Sequence, residues 1–146
     1  MLDLEMRLAQ MWTTTDEVFE ILARHANPEV RRFVAANLVV PPQVLDQLAE
    51  DEENDVVWAV AENSRAPATT LRRMSVCGDE VCLSSIAENE STPVDVLERL
   101  ARHPESLVRC GVASNRAAPL NLLDGLSVDP DDLVCGLAMQ ALLARR

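Results

Sequence analysis

The chain has 146 residues and a net charge of −11, from 24 acids against 13 bases, and its apolar half holds only two Phe, two Trp and no Tyr. A length of this order suits a single domain with a core of Leu, Val and Ala. The acidic balance excludes a nucleic-acid backbone as the default ligand, which needs a basic stripe, and no run reaches the roughly 20 apolar residues that span a bilayer.

Residues 1–21 read as a half-unit. Asp3 and Glu5 stand where a secretory signal needs a basic then apolar run, so a cytoplasmic protein is expected. Leu8-Ala9 anticipates Val34-Ala35, and Val18-Phe19 anticipates Val44-Leu45. Met11 and Thr15 hold places that Asn and Pro take in every later full copy. From there the chain repeats. Asn37, Asn63, Asn89 and Asn115 lie 26 residues apart, each followed four residues on by Pro41, Pro67, Pro93 or Pro119. Leu45, Leu71, Leu97 and Leu123 keep the same interval. A fixed period of this size marks small units stacked on copies of themselves. The cuts give full units at 22–47, 48–73, 74–99 and 100–125, and a truncated copy at 126–146 with Ala141 in the Asn place. Divergent ends are what a stack needs, because an end unit has one neighbour and must face water on its other side. One domain, 1–146, capped at both ends, is the expectation.

Each unit predicts two short helices. The first carries apolar residues at i and i+4: Val30/Val34, Val56/Val60, Cys82/Ile86, Val108/Val112 and Val134/Ala138. Asn27-Pro28-Glu29 and Asp129-Pro130-Asp131 supply helix-start signals. The second segment opens at Pro and buries a pair such as Val96-Leu97. It is only about two turns long, so 3₁₀ and short α-helix are both open. Alternation of strand period is absent. The chain reads as all-α, an α-solenoid of paired short helices.

The segments LARHANPEVRRFVAANLVVPPQVLDQ and LARHPESLVRCGVASNRAAPLNLLDG resemble the leucine-rich repeat variant family, over essentially the whole chain. The resemblance implies a right-handed superhelix of alternating α- and 3₁₀-helices acting as an interaction scaffold. The founding member of that family also carries an N-terminal cysteine cluster with an iron–sulfur centre. Here the first cysteine is Cys77, so the resemblance brings no cofactor.

Other candidate chemistry reduces to structure. The Asn ladder reads as helix ends, where Asn tolerates left-handed backbone and its amide bonds the turn of its own or the next unit. Cys77, Cys82, Cys110 and Cys135 are too scattered for a disulfide framework. Cys82, Cys110 and Cys135 fall on successive first helices, spaced by about 8–10 Å per packed pair, too far for one metal. Cys82 stands where other units place Val, as a small hydrophobe. His25 and His103 precede first helices and read as caps. With no phosphate loop or nucleophile elbow, an enzyme is not expected. All the bases are Arg and Ala is abundant, which points to a GC-rich, bacterial coding bias.

Function is therefore sought in what varies between units. The face opposite Val30/Val34 carries Pro28, Arg32 and Ala36, then Asn54, Trp58 and Glu62, then Glu80, Ser84 and Glu88, with Cys110 and Gly136 in the later copies. Arg32, Asp55, Trp58, Glu62 and Glu88 are the expected contacts with a protein partner, since solenoids bind along such a face and Trp and Arg are enriched at hot spots. Trp58 has two readings, an exposed contact or a cover over the gap between units. The run Glu50–Glu53 reads as a solvated turn. Val81, Leu107 and Leu133 replace Glu29 and Asp55 in register and suggest self-association. Two rival functions are an iron–sulfur redox or regulatory protein and an acidic DNA mimic that captures a basic protein.

Overall fold

A computed structural model of the chain describes residues 2–11 and 15–145, and nothing of the side chains of Leu2, Gln10 and Cys77. Among the described residues there are eleven helices and no strand, with contacts running between helices near in sequence. The chain divides into two compact units, Met1–Thr70 and Leu71–Arg146.

The first unit holds α1 (Leu2–Gln10), α2 (Asp16–Leu22), α3 (Pro28–Ala36), α4 (Pro42–Leu48), α5 (Asn54–Glu62) and the first residues of α6 (Ala68–Cys77). Its centre is α3, which packs against α1 on one side and α5 on the other. Asn27 starts α3 by accepting the Glu29 N–H on Oδ1, and Pro28 occupies the first turn, where no donor is needed. Val30, Val34, Val56 and Val60 are wholly buried, as their spacing predicts. The second segments are α-helical, not the 3₁₀ that the resemblance implies. Pro41 caps α4, whose last turn closes with Ala49 N–H donating to Leu45 O over 2.9 Å, an i→i−4 bond.

The second unit holds the rest of α6, then α7 (Glu80–Glu88), α8 (Val94–Leu100), α9 (Ser106–Ser114), α10 (Leu120–Leu126) and α11 (Asp132–Ala144). Here α9 is central, between α7 and α11. Cys82, Ile86, Val108, Val112, Val134 and Ala138 are buried. Gly111 brings α9 close to α7: a Cβ there would lie 2.7 Å from Ser84 O and 2.8 Å from the Ala87 Cβ.

Both units are laced by the same two kinds of side-chain bond. The first belongs to the buried Asn. Asn63 Nδ2 donates to Ala35 O at 2.6 Å and Asn37 O at 3.0 Å, while its Oδ1 accepts from Arg65 N–H at 2.8 Å. Asn115 does the same with Ala87 O, Asn89 O and Ala117 N–H. Asn37 reaches Ala9 O and Met11 O, so Met11 does stand in the ladder as an acceptor. These residues are not left-handed: Asn37, Asn63, Asn89 and Asn115 end their helices with φ near −70° in extended backbone. Asn is needed for its side chain, which offers a donor pair to the preceding copy and an acceptor to its own turn. At the chain's far end Ala141 has no amide to give. Arg145 takes over, donating to Asn115 O at 2.8 Å and Ala118 O at 2.6 Å.

The second bond is an Arg–Asp clamp. Arg31 makes a two-pronged pair with Asp51 (2.7 and 2.8 Å), and its remaining nitrogen donates to His25 O and Ala26 O. Arg109 repeats this with Asp129 (2.8 and 2.9 Å), His103 O and Pro104 O. All four charged side chains are largely buried. Donation from the guanidinium holds the Asp51 and Asp129 carboxyls below their ordinary value, against the opposing effect of burial. His25 and His103 act as turn caps, each accepting on Nδ1 the N–H two residues on.

Candidate functional site

On the first unit, α3 and α5 leave an open groove of about 370 Å³ between their outer faces. Glu29 and Arg32 come from α3, one turn apart. Asp55, Trp58, Ala59 and Glu62 come from α5, where the i, i+3, i+7 spacing aligns Asp55, Trp58 and Glu62 along one side. Four of the five residues predicted to meet a partner therefore converge: Arg32, Asp55, Trp58 and Glu62. The fifth, Glu88, is exposed at the end of α7 in the second unit.

Local packing shapes the groove. Ala59 is small and buried, so the floor is shallow and the larger groups form its walls. Arg32 is held by Glu29 at 3.0 Å and lies over the Phe33 ring, 4.8 Å from its centre. Asp55 and Glu62 are exposed; Trp58 is half-buried and forms a wall. Three carboxylates against one guanidinium that is already paired leave the groove negative, with an indole beside the charge.

The second unit presents a different surface at the same places. Val81, Leu107 and Leu133 are 45%, 51% and 65% exposed at the starts of α7, α9 and α11. Ser84 and Cys110, expected on the outward face, are buried instead. The cause is the close approach at Gly111, which closes the α7–α9 face, and Ser84 Oγ donates across it to Leu107 O. A further groove of about 480 Å³ lies along α8 and α10, with Leu122, Gly125, Val128 and Pro130 beside Arg102 and Asp129. Its counterpart in the first unit has Gln47, Glu50 and Glu52 beside Arg24 and Asp51.

No protein-family model, curated protein or solved structure matches the chain.

Cys82 and Cys110 are free and buried, and burial pushes the Cys82 thiol up to about 11. It is therefore protonated near neutrality, a poor nucleophile and a poor metal ligand. Cys135 is also free and donates to Ser127 O; the Cys77 side chain lies outside the described residues. Among the described residues no three His, Cys, Asp or Glu are grouped to hold a metal ion, and no helix is long and apolar enough to cross a membrane.

One residue of the acidic run departs from the solvated turn its sequence suggests. Glu50, Glu52 and Glu53 are exposed, but Asp51 is half-buried, its carboxylate largely covered as the acceptor of the Arg31 clamp. A signal for it exists in the sequence: Arg31 and Asp51 recur 78 residues later as Arg109 and Asp129.

Proposed function

We propose that this protein is a non-enzymatic interaction scaffold, an α-solenoid of the leucine-rich repeat variant type working in the cytoplasm. It holds a basic segment of a protein partner in the groove between α3 and α5. The observation that carries this reading is the meeting of Asp55, Trp58 and Glu62 with Glu29 and Arg32 around one open groove. An arginine or lysine entering it would find carboxylates for its charge and the Trp58 face for cation–π contact. The paired Arg32 contributes a rigid wall more than a free charge. The regular ladder and clamps support the scaffold part of the reading, since they fix the backbone while exposed positions such as Asp55 and Glu62 can change from copy to copy.

Affinity capture from the native host tests it, with wild-type, Trp58→Ala and Glu62→Arg proteins in parallel. A partner should be retained by wild type, carry a basic segment, and bind each variant at least about tenfold more weakly, the loss typical of a hot-spot residue. Retention that ignores both substitutions would remove the groove from the function. Capture abolished by moderate salt but unaffected by Trp58→Ala would favour the acidic DNA-mimic reading instead.

A further inference from the structure

The groove between α3 and α5 spaces its charges along one helix. Asp55 and Glu62 lie seven residues apart on α5, about 10.5 Å along its axis, with Trp58 between them. Arg32, the cation of the facing wall, is already held by Glu29. The two acids stand differently in their own helix. Asp55 is in the first turn, where the helix end is positive and a carboxylate is stabilising. Glu62 is the last residue of α5, against the negative end, and no basic residue in the last turn offsets it. The helix loses by that carboxylate, whereas a cation brought by a ligand gains from it. Between the two acids the floor is shallow, because Ala59 is small and buried, and the half-buried Trp58 stands beside it.

We propose that the basic segment seated here is a polyproline II stretch with two cations three residues apart, of the form Arg-Pro-Pro-Arg. One cation meets Asp55, the other meets Glu62, and the prolines lie over Trp58. This rests on the reading of the groove as the seat of a basic segment. Three residues of polyproline II advance about 9.3 Å and complete one turn, so both cations face the same way at nearly the carboxylate spacing. A β-strand misses it, because residues on one face come at about 6.6 or 13 Å. An α-helix matches with residues seven apart, but two turns of it fill roughly 800 Å³, more than twice the groove's 370 Å³. Proline brings no N–H to leave unmet against the indole, and its backbone is ordered before binding. Arginine suits both ends, since its fork meets a carboxylate with two bonds.

Nuclear magnetic resonance titration of the full chain, read at backbone amides and the Trp58 indole N–H, tests this to millimolar affinity. The probes are the end-blocked hexapeptides Gly-Arg-Pro-Pro-Arg-Gly and Gly-Arg-Arg-Pro-Pro-Gly. They share composition and charge, so attraction to the acidic protein as a whole does not separate them. The first should bind about fivefold more tightly, the worth of one exposed ion pair, and shift the Trp58 signal. Asp55→Asn and Glu62→Gln should each weaken it about fivefold and bring the two peptides level. In the free protein Glu62→Gln should raise the thermal midpoint by about 1–4 °C, and Asp55→Asn should lower it, since the two charges lie at opposite helix ends. Equal binding of both peptides that is lost in Trp58→Ala would overturn the polyproline spacing and leave the basic-segment reading standing. So would wild-type affinity for the first peptide in Glu62→Gln. No binding of either peptide, or binding indifferent to Trp58→Ala, would overturn both.

Discussion

The two compact units share an internal frame and differ in what they show to solvent. Inside, Asn63 and Asn115 make the same three bonds, and Arg31–Asp51 and Arg109–Asp129 make the same clamp. Outside, the position that is Glu29 and Asp55 in the first unit is Val81, Leu107 and Leu133 in the second. The turn around the clamp changes likewise, from Glu50 and Glu52 to Val128 and Pro130. One backbone therefore carries a charged face and an apolar face, because the buried polar bonds fix each turn whatever residues surround it. Polar bonds in the frame allow drift on the surface.

If that division holds, breaking a clamp should cost the same in either unit. Arg109→Ala leaves Asp129 desolvated and unpaired, and the expected loss is about 2–3 kcal/mol, between exposed and buried ion pairs. Arg31→Ala should match it within error in chemical denaturation. The double substitution Arg109→Leu/Asp129→His, which copies Leu83 and His103 of the neighbouring copy, should recover much of the loss. The pH dependence follows from the same pair. The Asp129 carboxyl is depressed in the folded state below its ordinary 3.8. Its contribution is complete above that value and fades as acid titration passes through the lower native one. Asp129→Asn should flatten the acid limb of the stability curve. An unchanged limb would mean the clamp adds nothing.

Substitutions in the ladder should have the next largest effect. Asn115→Ala removes a side chain that satisfies two buried carbonyls and one N–H, and should cost about 2 kcal/mol. Asn63→Ala should cost as much, on the same three bonds. A clear difference between them in denaturation midpoint would show that the frame is not equivalent in the two units. Arg145→Ala should cost less, since its bonds are part-buried and water can reach the carbonyls it leaves.

The helices and their buried faces are legible in the sequence because burial in small units leaves a strict spacing: every i, i+4 pair named from the sequence is in a core. The Asn ladder is legible as structural, but its mechanism is not. The familiar role of Asn at a helix end is a left-handed turn, whereas here the amide bridges copies and the backbone stays extended. Asp51 is hidden in a run of four acids, where composition outweighs the single recurrence that marks it. The groove is half legible. Phase alone places Trp58 outward, yet only the packing of α3 on α5 shows that Glu29 joins it. Ser84 and Cys110 are misplaced by spacing alone because the closeness of two helices depends on Gly111, which no single-helix pattern for Ser84 includes.

That glycine supplies the smallest and sharpest test of the comparison. Ala is the better helix former by about 1 kcal/mol, so Gly→Ala in an open helix should stabilise. Gly125 in α10 has nothing within 4 Å of a built Cβ, and Gly125→Ala should gain about 0.5–1 kcal/mol. Gly111 is helical too, but the neighbours of its built Cβ are the Ser84 carbonyl, which is backbone and cannot rotate away, and the Ala87 methyl. Gly111→Ala must therefore push α9 off α7, with a net loss of about 1–2 kcal/mol once overpacking is set against propensity. The opposite signs matter more than the sizes. If both substitutions stabilise in thermal denaturation, α7 and α9 have room to separate, and Ser84 and Cys110 return to the open face their spacing suggests. If Gly111→Ala alone destabilises, the α7–α9 face is closed by backbone contact, and Val81 and Leu107 are its exposed apolar residues, at the two helix starts.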